Sequence, residues 1–125
     1  MEKSPKRQNS SAVISREQLE EAILREEIIA DVAKQLEKDF GMWGMTITFS
    51  NDMPRAYEEL FAQVYNHVVT LSIVDVGRLK NLLYQIDISA ARVLRPLVQG
   101  SVEEELAHKI IERELQKVLL RRYYK

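Results

Sequence analysis

One of the chain's two histidines, His108, stands between carboxylates at helical spacing in EELAHKIIERE, residues 104–114. Glu105 and His108 form a Glu-x-x-His pair, with Glu104 and Glu112 one turn to either side, so on a helix all four share one flank. Carboxylate-bridged di-iron bundles use this spacing, because a Glu and a His three residues apart both reach a metal in the bundle core. They need two such pairs and two further Glu. The other histidine, His67, has Val64 at the same offset. One chain therefore supplies half a site, and a complete one requires a second subunit. The plainer account is a solvated flank carrying roughly a few tenths of a kcal/mol of pair interactions.

His67, in VYNHVV, would serve as a general base beside Asp75 if the intervening segment folded back. A histidine beside a core stripe is otherwise simply hydrogen-bonded there. Cysteine is absent, which removes disulfides, thiolate zinc sites and cysteine nucleophiles together. No G-x-S-x-G elbow occurs, and the four glycines form neither a phosphate loop nor a dinucleotide fingerprint. No catalytic set and no cofactor are expected.

Lys117, Arg121, Arg122 and Lys125 gather at the C-terminus with Tyr123 and Tyr124 between them, and Lys3, Lys6 and Arg7 lie near the start. Arginine and tyrosine together hold phosphates and stack on bases, so this cluster is the chain's best nucleic-acid feature. Cations at the end of a last helix also complement its dipole without any ligand. GRLKNLLYQIDISAARVLR can be written as a helix-turn-helix with Arg92 and Arg95 on its second helix, but Pro96 cuts that helix short. In FGMWGM, Phe40, Met42, Trp43 and Met45 crowd six residues containing two glycines. Such residues either plug the end of a bundle or form an adaptable contact surface for a partner.

The elements that would position these groups are helical. With 46% hydrophobic and 30% charged residues, 4 Gly and 3 Pro, the 125-residue chain is rich in helix formers and poor in turn residues. It is long enough for one compact domain. Residues 1–13 have almost nothing to bury and are expected to be a disordered tail ahead of a single helical domain, 14–125. SREQ at Ser15 reads as a capping box, opening one helix through Leu19, Ala22, Ile23, Ile29, Val32, Ala33, Leu36 and Phe40 that Gly41 stops. In 45–50, Met45, Ile47 and Phe49 alternate with polar residues as a half-buried strand does. The other β-branched stretch, 68–74, is a candidate ribbon partner but also continues helical spacing, so an extended connection packed on the bundle is preferred.

Asn51 or Asp52 can cap the next helix, and Pro54 suits its first turn. Tyr57, Leu60, Phe61, Val64, Val68 and Leu71 form its stripe, with a boundary near residue 72 left open. Leu79, Leu82, Leu83 and Ile86 define another face, ended at DIS with Asp87 and Ser89 as caps. A short helix over AARVLR follows, and SVEE at Ser101 is a second capping box before Leu106, Ala107, Ile110, Ile111, Leu115, Val118 and Leu119. The expected fold is all-α: a four- to five-helix bundle with an irregular or weakly β connection near 41–53.

A balance of 18 basic and 19 acidic residues, net charge −1, gives no global field to attract nucleic acid or an anionic membrane. No apolar leader and no run of 18 apolar residues occur, so a cytoplasmic protein that neither is exported nor spans a membrane is expected. The sequence thus points to a non-enzymatic interaction protein, an adaptor or a self-associating subunit, with a protein partner or a second copy in a homodimer. Two alternatives stand beside it: a nucleic-acid accessory protein using Lys117, Arg121, Arg122, Tyr123 and Tyr124, and a carboxylate–histidine metalloprotein using Glu105 and His108 across a dimer.

Overall fold

The computed structural model of the chain describes residues 14–88 and 101–123. It is all-α, with five helices and no strand among the described residues. These are α1 (Arg16–Ala22), α2 (Glu26–Gly41), α3 (Ala56–Val74), α4 (Val76–Ile86) and α5 (Val102–Tyr123), with a 3-10 turn at Met53–Arg55 before α3. The tail 1–13, the short helix expected over AARVLR, Ser89, Arg92, Arg95, Tyr124 and Lys125 lie outside the described residues.

The single helix expected from Ser15 to Phe40 is two. Ser15 caps α1 with the full capping box: its Oγ accepts from the Gln18 amide at 3.1 Å, and Gln18 Oε1 accepts from the Ser15 amide at 2.8 Å. The chain then breaks at 23–25, where Arg25 takes an extended conformation. Apolar spacing explains the break. After Ala22 and Ile23 a continuous helix would need apolar residues at 26 or 27, and both are Glu; the buried stripe resumes only at Ile28 and Ile29. The break resets the phase, leaves Leu24 exposed, and places Glu26 and Glu27 in the first turn of α2, where they complement its dipole.

The stop of α2 also differs from expectation. Gly41 is its last helical residue, and the left-handed position belongs to Gly44, φ +79°. Met45 N–H reaches Phe40 O at 3.0 Å and Gly44 N–H reaches Gly41 O at 3.1 Å, the paired bonds of a Schellman motif with Gly44 just past the cap. α4 ends the same way with a non-glycine. Asp87 has φ 74°, Ile88 N–H bonds Leu83 O at 2.8 Å and Asp87 N–H bonds Tyr84 O at 3.0 Å.

Residues 68–74 are helical, so α3 runs unbroken to Val74, and Asp75, not Ser72, caps α4 by accepting from the Arg78 amide at 3.0 Å. The 45–50 segment still alternates as expected, with Ile47 buried, Met45 and Phe49 half-buried, and Thr46, Thr48 and Ser50 exposed. Its partner is a row of α3 side chains. His67 bonds Thr46 O at 2.8 Å, Gln63 bonds Thr48 on both sides, and Glu59 accepts from Ser50 N–H at 3.0 Å. Four helical residues rise about 6 Å and two extended residues about 6.6 Å, so positions 59, 63 and 67 keep step with 50, 48 and 46. Neither Asn51 nor Asp52 caps the following turn with its side chain; Pro54 does sit in its first turn.

α2 and α5 run antiparallel: Asp31 pairs with Arg122, Gln35 with Arg121, and Asp39 with Lys117. The shared core draws on every helix, with Ile28, Leu36, Phe40, Leu60, Leu82, Leu83, Ile86, Leu106, Ile110 and Ile111 among its fully buried members. Ser101 and Glu104 form the second expected capping box, each accepting from the other's amide at 3.0 Å.

Candidate functional site

The two members of the Glu-x-x-His pair line an open cleft of about 380 Å3 between α1, α3 and α5, with Leu19, Ile111 and Leu115 among its apolar lining. His108 Nδ1 lies 2.6 Å from Tyr57 Oη, and its ring stacks on Phe61 at 4.2 Å between centroids. Burial, reinforced by the Glu112 charge, pushes the Tyr57 hydroxyl up to about 12 against an opposing Arg16. The phenol keeps its proton, and it shares one hydrogen bond with His108 Nδ1 whose donor is set by the imidazole tautomer. Of the flanking acids, Glu104 is spent on its capping box, and Glu112 pairs with Arg16 at 2.7 Å. Among the described residues no group of three or more His, Asp or Glu could hold a metal ion. The cleft brings Glu105 and His108 to one wall, with Glu20 and Glu112 also in its lining.

His67 and Asp75 do not come together. The His67 Nε2 donates to Thr46 O, and its ring packs 5.5 Å from that of Phe40. Asp75 lies eight residues on, past the end of the same helix, about 12 Å along its axis. The intervening segment does not fold back.

Each described member of the C-terminal basic cluster is held by a neighbouring helix. Arg121 donates to Gln35 Oε1 at 3.0 Å, and Arg122 pairs with Asp31 at 2.9 Å. Arg25 donates to Tyr123 Oη at 3.0 Å. The Asp31 hydrogen bond raises the Arg122 pKa further, and the Tyr123 hydroxyl does the same for Arg25. Lys117 points inward, its Nζ 3.4 Å from Asp39 Oδ2 and 3.2 Å from Glu114 Oε1.

The FGMWGM residues divide. Phe40 is fully buried, so its side chain belongs to the core and not to a contact surface, because it falls on the α2 stripe four residues after Leu36. Trp43 and Met45 are half-buried against that core, and Met42 alone is 66% exposed. Trp43 Nε1 donates to Gln85 Oε1 at 2.8 Å, which joins the loop to α4.

Gln85 leads to a cluster that the sequence reading passed over. Asp39 and Glu114 are the buried charged residues among those described, at 5% and 0% exposure. Asp39 accepts from Gln35 Nε2 at 3.0 Å and from Gln85 Nε2 at 3.1 Å, and has Lys117 at 3.4 Å. Both amide orientations are fixed from their far sides, since Trp43 and Arg121 can only donate. Glu114 is the opposite case: neither carboxyl oxygen accepts a hydrogen bond from a nitrogen, and the Lys117 contact lacks hydrogen-bonding geometry. Burial, then the neighbouring Asp39 carboxyl, push Glu114 up to about 9, outweighing Lys117. Burial alone would raise Asp39 too; the bond from Glu114, with Gln35, Lys117 and Gln85, holds it below the ordinary range instead. The legible signal was register. Ala107, Ile110, Glu114 and Val118 step by three and four, which puts a carboxyl in a core slot of α5.

In comparisons with known proteins, no family model matches the chain, and no curated protein and no solved structure does either. No described helix is long and apolar enough to cross a membrane.

Proposed function

We propose that the chain is a non-enzymatic interaction protein that pairs with a second copy of itself through the corner between α3 and α4. The observation that carries this reading is the exposure of Ile73, Val74, Val76 and Tyr84 at 78, 74, 51 and 87%. Three of these apolar residues fall within four positions around Asp75, and Tyr84 lies exposed on α4 away from its buried stripe. The core is complete without them, so their exposure asks for another use, and clustered apolar surface marks association sites. One self-complementary patch is all that a two-fold dimer requires.

The alternatives find less support in the geometry. In the described C-terminal cluster Arg122 pairs with Asp31 and Lys117 with Asp39, so two of its three cations already face a carboxylate, while Arg121 is held by the Gln35 amide. Among the described residues Glu105 and His108 belong to no group of three that could hold a metal ion.

Light scattering across a concentration series tests the proposal. The expected mass rises from one to two chains with concentration. The double substitution Ile73→Asp with Val74→Asp should abolish the rise while the helical circular dichroism stays unchanged. A wild-type chain that remains monomeric throughout, or a variant that dimerises as well as the parent, overturns it.

A further inference from the structure

We propose that Glu114, Asp39, Gln85 and Trp43 form a proton-operated switch, in which a proton shared by the two buried carboxyls holds the 42–45 loop on the bundle end and its loss frees that loop. Hydrogen-bond accounting supports the switch, whether or not the chain dimerises. Asp39 is surrounded by donors, as a carboxylate requires. Glu114, with no exposed surface and no nitrogen donor on either oxygen, would be an unsolvated anion if ionised. Protonated, it donates its O–H to Asp39, and both groups are satisfied.

The wiring to the surface is continuous. Gln85 holds Asp39 through Nε2, at 3.1 Å to Oδ1 and 3.3 Å to the main-chain oxygen, and holds the Trp43 indole through Oε1 at 2.8 Å. When Glu114 gives its proton to solvent base, two carboxylates confront one another with a single ammonium, Lys117, between them. Repulsion moves Asp39, and Gln85 cannot follow it and keep Trp43 as well.

The groups facing the pair are few. From α2 come Asp39 itself and Gln35, which Arg121 holds from behind; from α4, Gln85; and from α5, Lys117 and the adjacent Arg113, whose two terminal nitrogens bond Gln116 and Asp87 while its buried Nε has no hydrogen-bond partner among the described residues. On α3, His67 is turned onto Phe40 and Thr46. Glu114 is thus the carboxyl whose ionisation would set a second negative charge beside Asp39.

Trp43 is the chain's one tryptophan, so its emission reads the loop directly. In the intact protein the emission should shift to longer wavelength in one step centred at about 9, the pH at which Glu114 ionises. In Glu114→Gln, which keeps a donor for Asp39 but cannot ionise, that step should vanish; a Glu114→Gln protein that folds and still shows it overturns the proposal. Infrared spectra of wild-type protein with isotope-labelled glutamate do not depend on any variant folding. A protonated carboxyl band should be present at neutral pH and fade in step with the Trp43 emission. Its absence at neutral pH, or fading without an emission change, also overturns the switch.

Discussion

Gln63 serves Thr48 as a neighbouring β-strand would. Its Oε1 accepts from the Thr48 amide at 2.8 Å, and its Nε2 donates to the Thr48 carbonyl at 2.7 Å. A side-chain amide thus supplies the donor and acceptor of a peptide group. This is how an extended segment with strand-like alternation persists without a strand beside it.

Gln63→Met keeps the length and apolar stem of the side chain and removes both bonds. The expected cost is about 1–2 kcal/mol, two modest hydrogen bonds at a partly solvated site. Hydrogen exchange should locate it: the Thr48 amide should lose protection while amides in the middle of α2 and α5 keep theirs. Unchanged Thr48 protection would show that packing of Ile47, not the clamp, holds the segment.

Phe40 and Met42 sit two residues apart and should respond oppositely to truncation. Phe40 has no exposed surface, so Phe40→Ala should cost about 3–5 kcal/mol through lost burial and a cavity. Met42 is mostly exposed, and Met42→Ala should stay within about 0.5 kcal/mol of the parent in urea denaturation. A large loss for Met42→Ala would mean that it packs against something within the protein.

Most of the helices were legible in the sequence because period and caps agree. Ser15, Gln18, Ser101 and Glu104 announce their capping boxes, and the buried positions of α3, α4 and α5 follow the apolar steps. The break at 23–25 was readable too, as a gap in those steps, but good helix formers on both sides mask it. What could not be read was long-range. That 59, 63 and 67 would face 50, 48 and 46 depends on tertiary placement. That Asp39 would meet Glu114 depends on the antiparallel docking of α2 and α5 across 75 positions of sequence. The histidines have the more versatile chemistry, yet Tyr57 and Thr46 already occupy one nitrogen of each. Two common acids in core register carried the stronger site.

Gly41 and Gly44 should separate the helix stop from the helix end. A Cβ at either would meet nothing within 4 Å, so backbone conformation alone decides the outcome. Gly41 is helical, and Gly41→Ala should stabilise by about 0.5–1 kcal/mol. Gly44 has φ +79°, and Gly44→Ala should cost about 1–2 kcal/mol. At the equivalent point of α4, Asp87→Gly relieves a left-handed aspartate but breaks its 2.9 Å ion pair with Arg113, an exposed pair worth under about 1 kcal/mol. Melting temperatures that fall for Gly41→Ala and rise for Gly44→Ala would reverse the assignment.

The buried acid pair gives stability a pH dependence whose sign is fixed. Folded Glu114 keeps its proton up to about 9, while in the unfolded chain it releases it near the ordinary value of 4.5. Between those values the folded state binds the extra proton, so stability falls as pH rises through the window. Asp39 acts in the other direction. Its folded value lies below the ordinary 3.8, so its contribution is present above that pH and disappears as the solution is acidified through the folded value. From this pair, stability should peak in mildly acidic solution and decline towards about pH 9. Urea midpoints for the wild type should therefore drop between about pH 5 and pH 9, and those of Glu114→Gln should drop much less, making the variant the more stable protein at the alkaline end. Asp39→Asn removes the neighbouring charge, so the remaining Glu114, now alone with Lys117, should titrate closer to the ordinary range; the decline should still begin near 4.5 but end at lower pH and be smaller in total. Equal slopes in wild type and Glu114→Gln would place the pH dependence elsewhere in the molecule.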